Sequence, residues 1–165
     1  MVGGIAAVRR ADASDLPYIV SLAQREYEAI GFLPASRYEG LVNGTSDRPS
    51  HRLWIAEAHG DRVGFLYATP GQAGGSLKVV QVCIQGDARR LEFGAALVAQ
   101  AERHAMRTQR GAVSLAVAAD LEASRFWEAE GYRLARVDRG GKRRGRLLER
   151  RYKRLSCGLF REGDG

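Results

Sequence analysis

The residues best placed for chemistry in this 165-residue chain lie in the run Ile84-Gln85-Gly86-Asp87-Ala88-Arg89-Arg90-Leu91-Glu92-Phe93-Gly94-Ala95-Ala96-Leu97. An apolar strand pattern ends at Ile84, a polar turn follows, and a helical pattern begins near Arg90. A helix that starts behind a strand offers unpaired backbone N–H groups and the positive end of its dipole, which together suit a phosphate or pyrophosphate. Arg89 and Arg90 add fixed positive charge there. Most helices of α/β proteins begin this way and bind nothing, so the run alone marks a place and not a ligand.

Other side chains could move protons. Glu57, at the end of a strand pattern, could act as a general base, although a carboxylate there is more often simply solvated. Tyr67 could donate to or position an acceptor, and a strand tyrosine is otherwise a half-buried packing residue. Cys83 shares a strand face with Gln81 but has no identifiable histidine partner, and buried cysteines are commonly inert. Cys83 and Cys157 are too few for a disulfide framework, and His51, His59 and His104 lack ligand spacing. Trp54, Phe65, Phe126 and Trp127 read most simply as core aromatics.

The formal charge is +7, and it is concentrated. Residues 139–154 hold nine basic side chains and one acid, Glu149, while the remainder of the chain is close to neutral. Such a cluster can contact several phosphates, each contact adding salt-dependent affinity. It can equally be a solvated edge that prevents sheet-to-sheet aggregation. Tyr152 is the one aromatic within it that could stack on a base. Arg143, Arg144 and Arg146 are the substrate-binding candidates.

These residues need elements to hold them. A strand is expected over residues 5–9, then a helix capped by Ser14 with Leu16, Ile19, Val20, Ala23, Tyr27 and Ile30 on one face, ending at Gly31. Pro34 starts a weaker helix to about residue 42. Residues 53–58 and 62–69 read as a hairpin turning at His59-Gly60-Asp61. Over 77–84 alternation puts Val80, Val82 and Ile84 on one face and Val79, Gln81 and Cys83 on the other. Phe93, Leu97, Ala101 and Ala105 form a helical stripe, and 113–117 a further strand, completing a βαβ unit with parallel strands. Asp120 is expected to cap a helix carrying Ala123, Phe126 and Trp127, with Gly131 ending it. Residues 132–155 form a last, basic hairpin turning at Gly140-Gly141. One domain of 1–165 is expected from the length. No secretory signal or bilayer-length apolar run is seen, which points to the cytoplasm and away from a membrane.

The run from Arg89 resembles the acyl-CoA-binding motif of the GNAT superfamily of N-acetyltransferases, Arg/Gln-x-x-Gly-x-Gly/Ala after a strand. Arg89 matches its first position and Gly94 its last, with Ala96-Leu97 continuing as in the family. The run 117–132 resembles the family's later motif, Asn-x-x-Ala-x-x-Phe-Tyr followed by Gly-Phe, with Ala123, Phe126, Gly131 and Tyr132 in register. Three positions depart from the pattern: Glu92 stands at the first glycine, Asp120 at the asparagine, and Trp127 at the tyrosine that protonates the leaving thiolate in many members.

The resemblance implies a single-domain α/β (α+β) fold, a mixed twisted sheet splayed between two parallel strands and flanked by helices. It implies acetyl-CoA as acyl donor, with pantetheine along Val82, Cys83 and Ile84 and pyrophosphate near Arg89, Arg90, Gly94 and Ala95. Asp120 and Phe126 carry over to the same cofactor side. The implied reaction is acetyl transfer to a primary amine, of a small molecule or a protein, by direct attack in a ternary complex. A nucleic-acid target met by the basic hairpin, and a non-catalytic module of the same fold, stay open as alternatives. So does a homodimer.

Overall fold

The computed structural model describes residues 7–26, 30–31, 33–71, 75–86, 91–119, 122–139 and 147–155. Seven strands form a mixed sheet in the order β1-β2-β3-β4-β5-β7-β6. They are β1 (Ala7–Arg10), β2 (Arg52–Ala58), β3 (Asp61–Pro70), β4 (Ser76–Ile84), β5 (Ala112–Ala118), β6 (Arg133–Arg139) and β7 (Leu147–Arg154). The described helices are α1 (Leu16–Arg25), α2 (Ala35–Asn43), α3 (Leu91–Arg107) and α4 (Ala123–Ala129), with a 3-10 turn at Ala13–Asp15. Two compact units result, residues 1–69 with 79–100, and residues 70–78 with 101–165.

In the first unit, β1 pairs with β2 and β2 with β3, both antiparallel. The β2–β3 hairpin closes through His59 and Gly60, whose φ values are +53° and +82°. Two successive left-handed residues give the primed turn whose twist matches that of the strands it joins. Leu53 to Ala56 and Val63 to Ala68 are buried without alternation, as expected of strands covered on both faces. Ile19, Leu22 and Ala23 of α1 and Tyr38 of α2 pack with Leu53, Ile55, Phe65, Tyr67 and Cys83 into one core cluster.

The start of α1 corrects the sequence reading. Asp12, not Ser14, caps this segment: its carboxylate accepts from the Ser14 N–H, and the Asp15 carboxylate accepts from the Asp12 N–H. This reciprocal pair is a capping box with aspartate in both roles. Burial favours it, since Asp15 is fully buried and its oxygens are claimed by arginines from β1 and β3.

In the second unit β5 pairs with β7 and β7 with β6, again antiparallel. Gly131, at φ +90°, ends the α4 segment, the left-handed conformation that glycine adopts without penalty. Trp127 stacks edge-on between Phe126 and Tyr132, at centroid distances of 5.1 and 5.0 Å. The buried Tyr132 hydroxyl donates to Glu102 at 2.8 Å, and Lys153 Nζ pairs with the same carboxylate at 3.2 Å. Asp120 falls outside the described residues; α4 itself has Glu122 at its N-cap position without a side-chain cap bond.

Candidate active site

The strand that leads to the motif keeps its expected alternation. Leu77, Val79, Gln81 and Cys83 are buried, while Lys78, Val80, Val82 and Ile84 are half-buried. Gln81 sits among apolar side chains without an electrostatic penalty because both ends of its amide are used. Its Oε1 accepts from the Tyr38 hydroxyl at 2.6 Å and its Nε2 donates to the Gly31 carbonyl at 3.2 Å. Burial pushes the Tyr38 hydroxyl up to about 12, so this hydrogen-bond donor stays protonated.

What holds the end of β4 is a glycine that the sequence reading passed over. A Cβ on Gly64 of β3 would stand 2.5 Å from the Cys83 carbonyl oxygen and 2.6 Å from Ile84 Cδ1. Only a residue with no side chain lets β3 approach the β4 backbone there. One residue on, the Gln85 N–H donates to the Val63 carbonyl at 2.9 Å, and the Tyr18 hydroxyl donates to Gln85 Oε1 at 2.8 Å. Val82, Cys83 and Ile84 therefore end in a fixed position. A lone glycine inside the apolar run 63–68 was the available signal.

Arg89 and Arg90 lie outside the described residues. Beyond them α3 begins at Leu91, with Gly94 buried, Ala95 half-buried, and Glu92 exposed in the first turn. By residue type, the strand end and the small residues Gly94 and Ala95 in the first turns of α3 suit a diphosphate-bearing ligand, opposed by the charge of Glu92. Cys83 is 4% exposed within the core cluster, as a packing cysteine would be.

Glu57 follows a register irregularity in β2, and its carboxylate accepts from Arg9 Nε at 3.1 Å. The same guanidinium grips Asp15 with both terminal nitrogens, at 2.8 and 2.7 Å, and Arg62 Nε reaches Asp15 Oδ1 at 2.7 Å. Burial alone would raise the Asp15 carboxyl, but Arg9, the Asp12 N–H and Arg62 hold it well below the usual carboxylate range.

Tyr67 is fully buried and paired with His51, Oη to Nδ1 at 2.6 Å. Arg37 donates to the same oxygen at 3.4 Å, and the imidazole tautomer sets which of Tyr67 and His51 donates in their own bond. Burial, together with Arg48 and Arg37, lowers the His51 pKa, so its imidazole is held neutral. Sequence reasoning missed His51 because its partner comes from a strand sixteen residues on, a pairing that no local spacing announces. Beside Tyr38, an apolar hollow of about 320 Å³ is lined by Val20, Ala23, Gln24, Gly31, Leu33 and Ala35.

The second motif lies in the other unit. Phe126 is half-buried and Trp127 buried against it, so the indole serves packing. Arg143, Arg144 and Arg146 fall outside the described residues. Part of the basic cluster is consumed by the fold: Arg151, 7% exposed, donates to the Tyr132 carbonyl at 3.1 Å and pairs with Glu149. Among the described residues no helix is long and apolar enough to cross a membrane.

Comparison with known proteins bears on these arrangements. The family model described as an acetyltransferase (GNAT) domain matches residues 49–134. Among solved structures, the chain is similar to a ribosomal-protein-alanine N-acetyltransferase from Brucella melitensis, with 18% identity and TM-score 0.76. That match covers 90% of this chain and 99% of the other. It is also similar to a spermidine N-acetyltransferase from Vibrio cholerae solved with CoA and spermine, at 16% identity and TM-score 0.74, covering 90% and 95% of the two chains. A GCN5-related N-acetyltransferase from Kribbella flavida is 19% identical, with TM-score 0.74 and coverage of 91% and 98%. No curated protein matches the chain in sequence.

Proposed function

The chain belongs to the acetyltransferase (GNAT) family and by that membership is an N-acetyltransferase; we propose that it moves acetyl from acetyl-CoA to a primary amine by direct attack in a ternary complex. The amine nitrogen forms the new bond to the thioester carbonyl carbon, the carbon–sulfur bond breaks, and the sulfur leaves as thiolate while the nitrogen sheds a proton. The observation that carries this reading is the end of β4, anchored through Gly64 and Gln85 to β3 and continuing toward the start of α3.

In this reading the backbone at Val82, Cys83 and Ile84 holds pantetheine and polarises the thioester carbonyl, a dipole set in place before charge develops. Arg89, Arg90, Gly94 and Ala95 receive the pyrophosphate, and Asp120 and Phe126 are proposed on the same cofactor side. The similar Vibrio cholerae protein was solved with CoA and spermine, which supports a CoA-type donor and an amine acceptor. For the amine proton the proposed acceptor is Glu57, whose carboxylate accepts from Arg9 Nε at 3.1 Å. Tyr67, paired with His51, is proposed as a donor to the acceptor or as its positioner. The cytoplasm is the proposed setting, on the sequence reading alone.

Calorimetric titration with acetyl-CoA tests the proposal. Saturable binding is expected, and none at millimolar ligand overturns it. Glu92→Gly should bind several-fold tighter, because it removes an exposed carboxylate from the turn that faces the diphosphate. Release of CoA thiol with a panel of primary amines separates an enzyme from a non-catalytic module.

A further inference from the structure

Ladder register and ion pairs sort the basic residues of the last hairpin onto two faces. On one face of β7, Arg151 reaches the Tyr132 carbonyl and Lys153 reaches Glu102 of α3, so these cations serve the fold. The opposite face carries Arg150, Tyr152 and Arg154. Residues directly opposed in an antiparallel ladder share a face. Arg133 lies across from Tyr152 and Arg136 across from Arg150 on β6, and Ser114 and Ala116 lie across from the same two residues on β5. That Arg136 and Arg150 both pair with Asp138, at 3.0 and 2.5 Å, confirms the sorting.

We propose that this face of β5, β7 and β6 is a docking platform for single-stranded nucleic acid, with Tyr152 stacking on a base and Arg133, Arg136, Arg150 and Arg154 meeting phosphates. Arg133, Arg136 and Arg154 are exposed, Arg150 is 41% exposed in its side chain, and Tyr152 is half-buried. Four guanidinium groups stand against one carboxylate, Asp138, so the face suits a polyanion. Arg150 and Arg154 flank Tyr152 at two-residue spacing, about 7 Å to either side along the strand, a rhythm an extended nucleotide chain can follow. On β5 the facing residues are Ala112, Ser114 and Ala116, whose side chains are short. An aromatic ring among arginines answers to bases and phosphates together, which an acidic peptide does not supply. Base faces are open in a single strand and stacked away in a duplex. The platform is independent of the acetyl-transfer reading.

Fluorescence anisotropy with a labelled oligo(dT) of about 15 nucleotides tests it, with a duplex of equal length and poly-L-glutamate as competitors. Wild-type protein should bind the single strand with salt-dependent affinity and prefer it to both competitors. Tyr152→Ala should weaken binding about 5- to 100-fold, and Tyr152→Phe should retain it. Arg133→Gln, at an exposed site that leaves the core alone, should lower the slope of log affinity against log salt by about 0.7. Equal competition by poly-L-glutamate or by the duplex overturns the proposal, as does a Tyr152→Ala protein of unchanged melting temperature that binds like wild type. No measurable binding by wild type at low salt also overturns it. Acetyl-CoA titration of Tyr152→Ala should match wild type, which separates failure here from failure of the donor site.

Discussion

Replacing Gly64 with alanine puts the account of the β4 terminus at risk. The added Cβ would lie 2.5 Å from the Cys83 carbonyl oxygen, 2.6 Å from Ile84 Cδ1 and 3.1 Å from Ile84 Cα. The methyl end of Ile84 can swing aside, but the carbonyl and Cα are backbone and must retreat with the strand. Overpacking of this kind costs about 1–3 kcal/mol. At roughly 2–4 °C per kcal/mol for a chain of this size, the melting temperature should fall by about 2–12 °C. Because the displaced atoms belong to the proposed pantetheine strand, acetyl-CoA should also bind about tenfold more weakly, a loss of about 1.4 kcal/mol. Gly111→Ala is the matched control, since a Cβ there meets nothing within 4 Å and the residue lies outside the proposed donor site; its stability and affinity should stay at wild-type values. Differential scanning calorimetry with and without acetyl-CoA reads both effects. A Gly64→Ala protein that melts within about 1 °C of wild type and binds acetyl-CoA equally would refute the reasoning.

Further outcomes follow from the charged and titratable groups. Asp15→Asn leaves Arg9 and Arg62 without their shared carboxylate and should cost about 2–3 kcal/mol in urea unfolding at pH 7, less than a fully buried pair because both arginines are about one-third exposed. Since the folded Asp15 carboxyl is held below its ordinary 3.8, its contribution is present above that pH and is lost as pH falls through the folded value. Wild type and variant should therefore converge in strong acid. His51 has the same sense in a higher pH window: its folded pKa lies below 6.5, so the unfolded chain takes the proton first. Stability should fall as pH drops below 6.5 and do so less steeply in His51→Gln.

Much of the fold is written locally. The alternation over 77–84 reappears residue by residue in the burial of β4, and Phe93, Leu97, Ala101 and Ala105 are all buried along α3. The Pro34 start of α2 and the stop at Gly131 were likewise legible, because proline and glycine act through their own backbone torsions. The α1 cap was misread because the choice between Asp12 and Ser14 depends on arginines that arrive from β1 and β3. Of the site, the strand and helix that frame the motif could be read, since strand alternation and helical spacing are short-range. The roles of Gly64 and His51 could not.

By itself the sequence determined the order of elements, the family resemblance carried by Arg89, Gly94, Ala123, Phe126 and Gly131, and the position of the charge excess along the chain. Those follow from periodicity, backbone torsion and residue type, all of which act over a few residues. Only the tertiary structure decided which basic side chains are spent inside the fold, as Arg151 and Lys153 are, and which stand together on the opposite face of the ladder around Tyr152. It also decided that Tyr67 is paired with a neutral imidazole and that Gly64 lies against the end of β4. Ladder register and burial bring together residues far apart in the chain, and local patterning does not encode those distances.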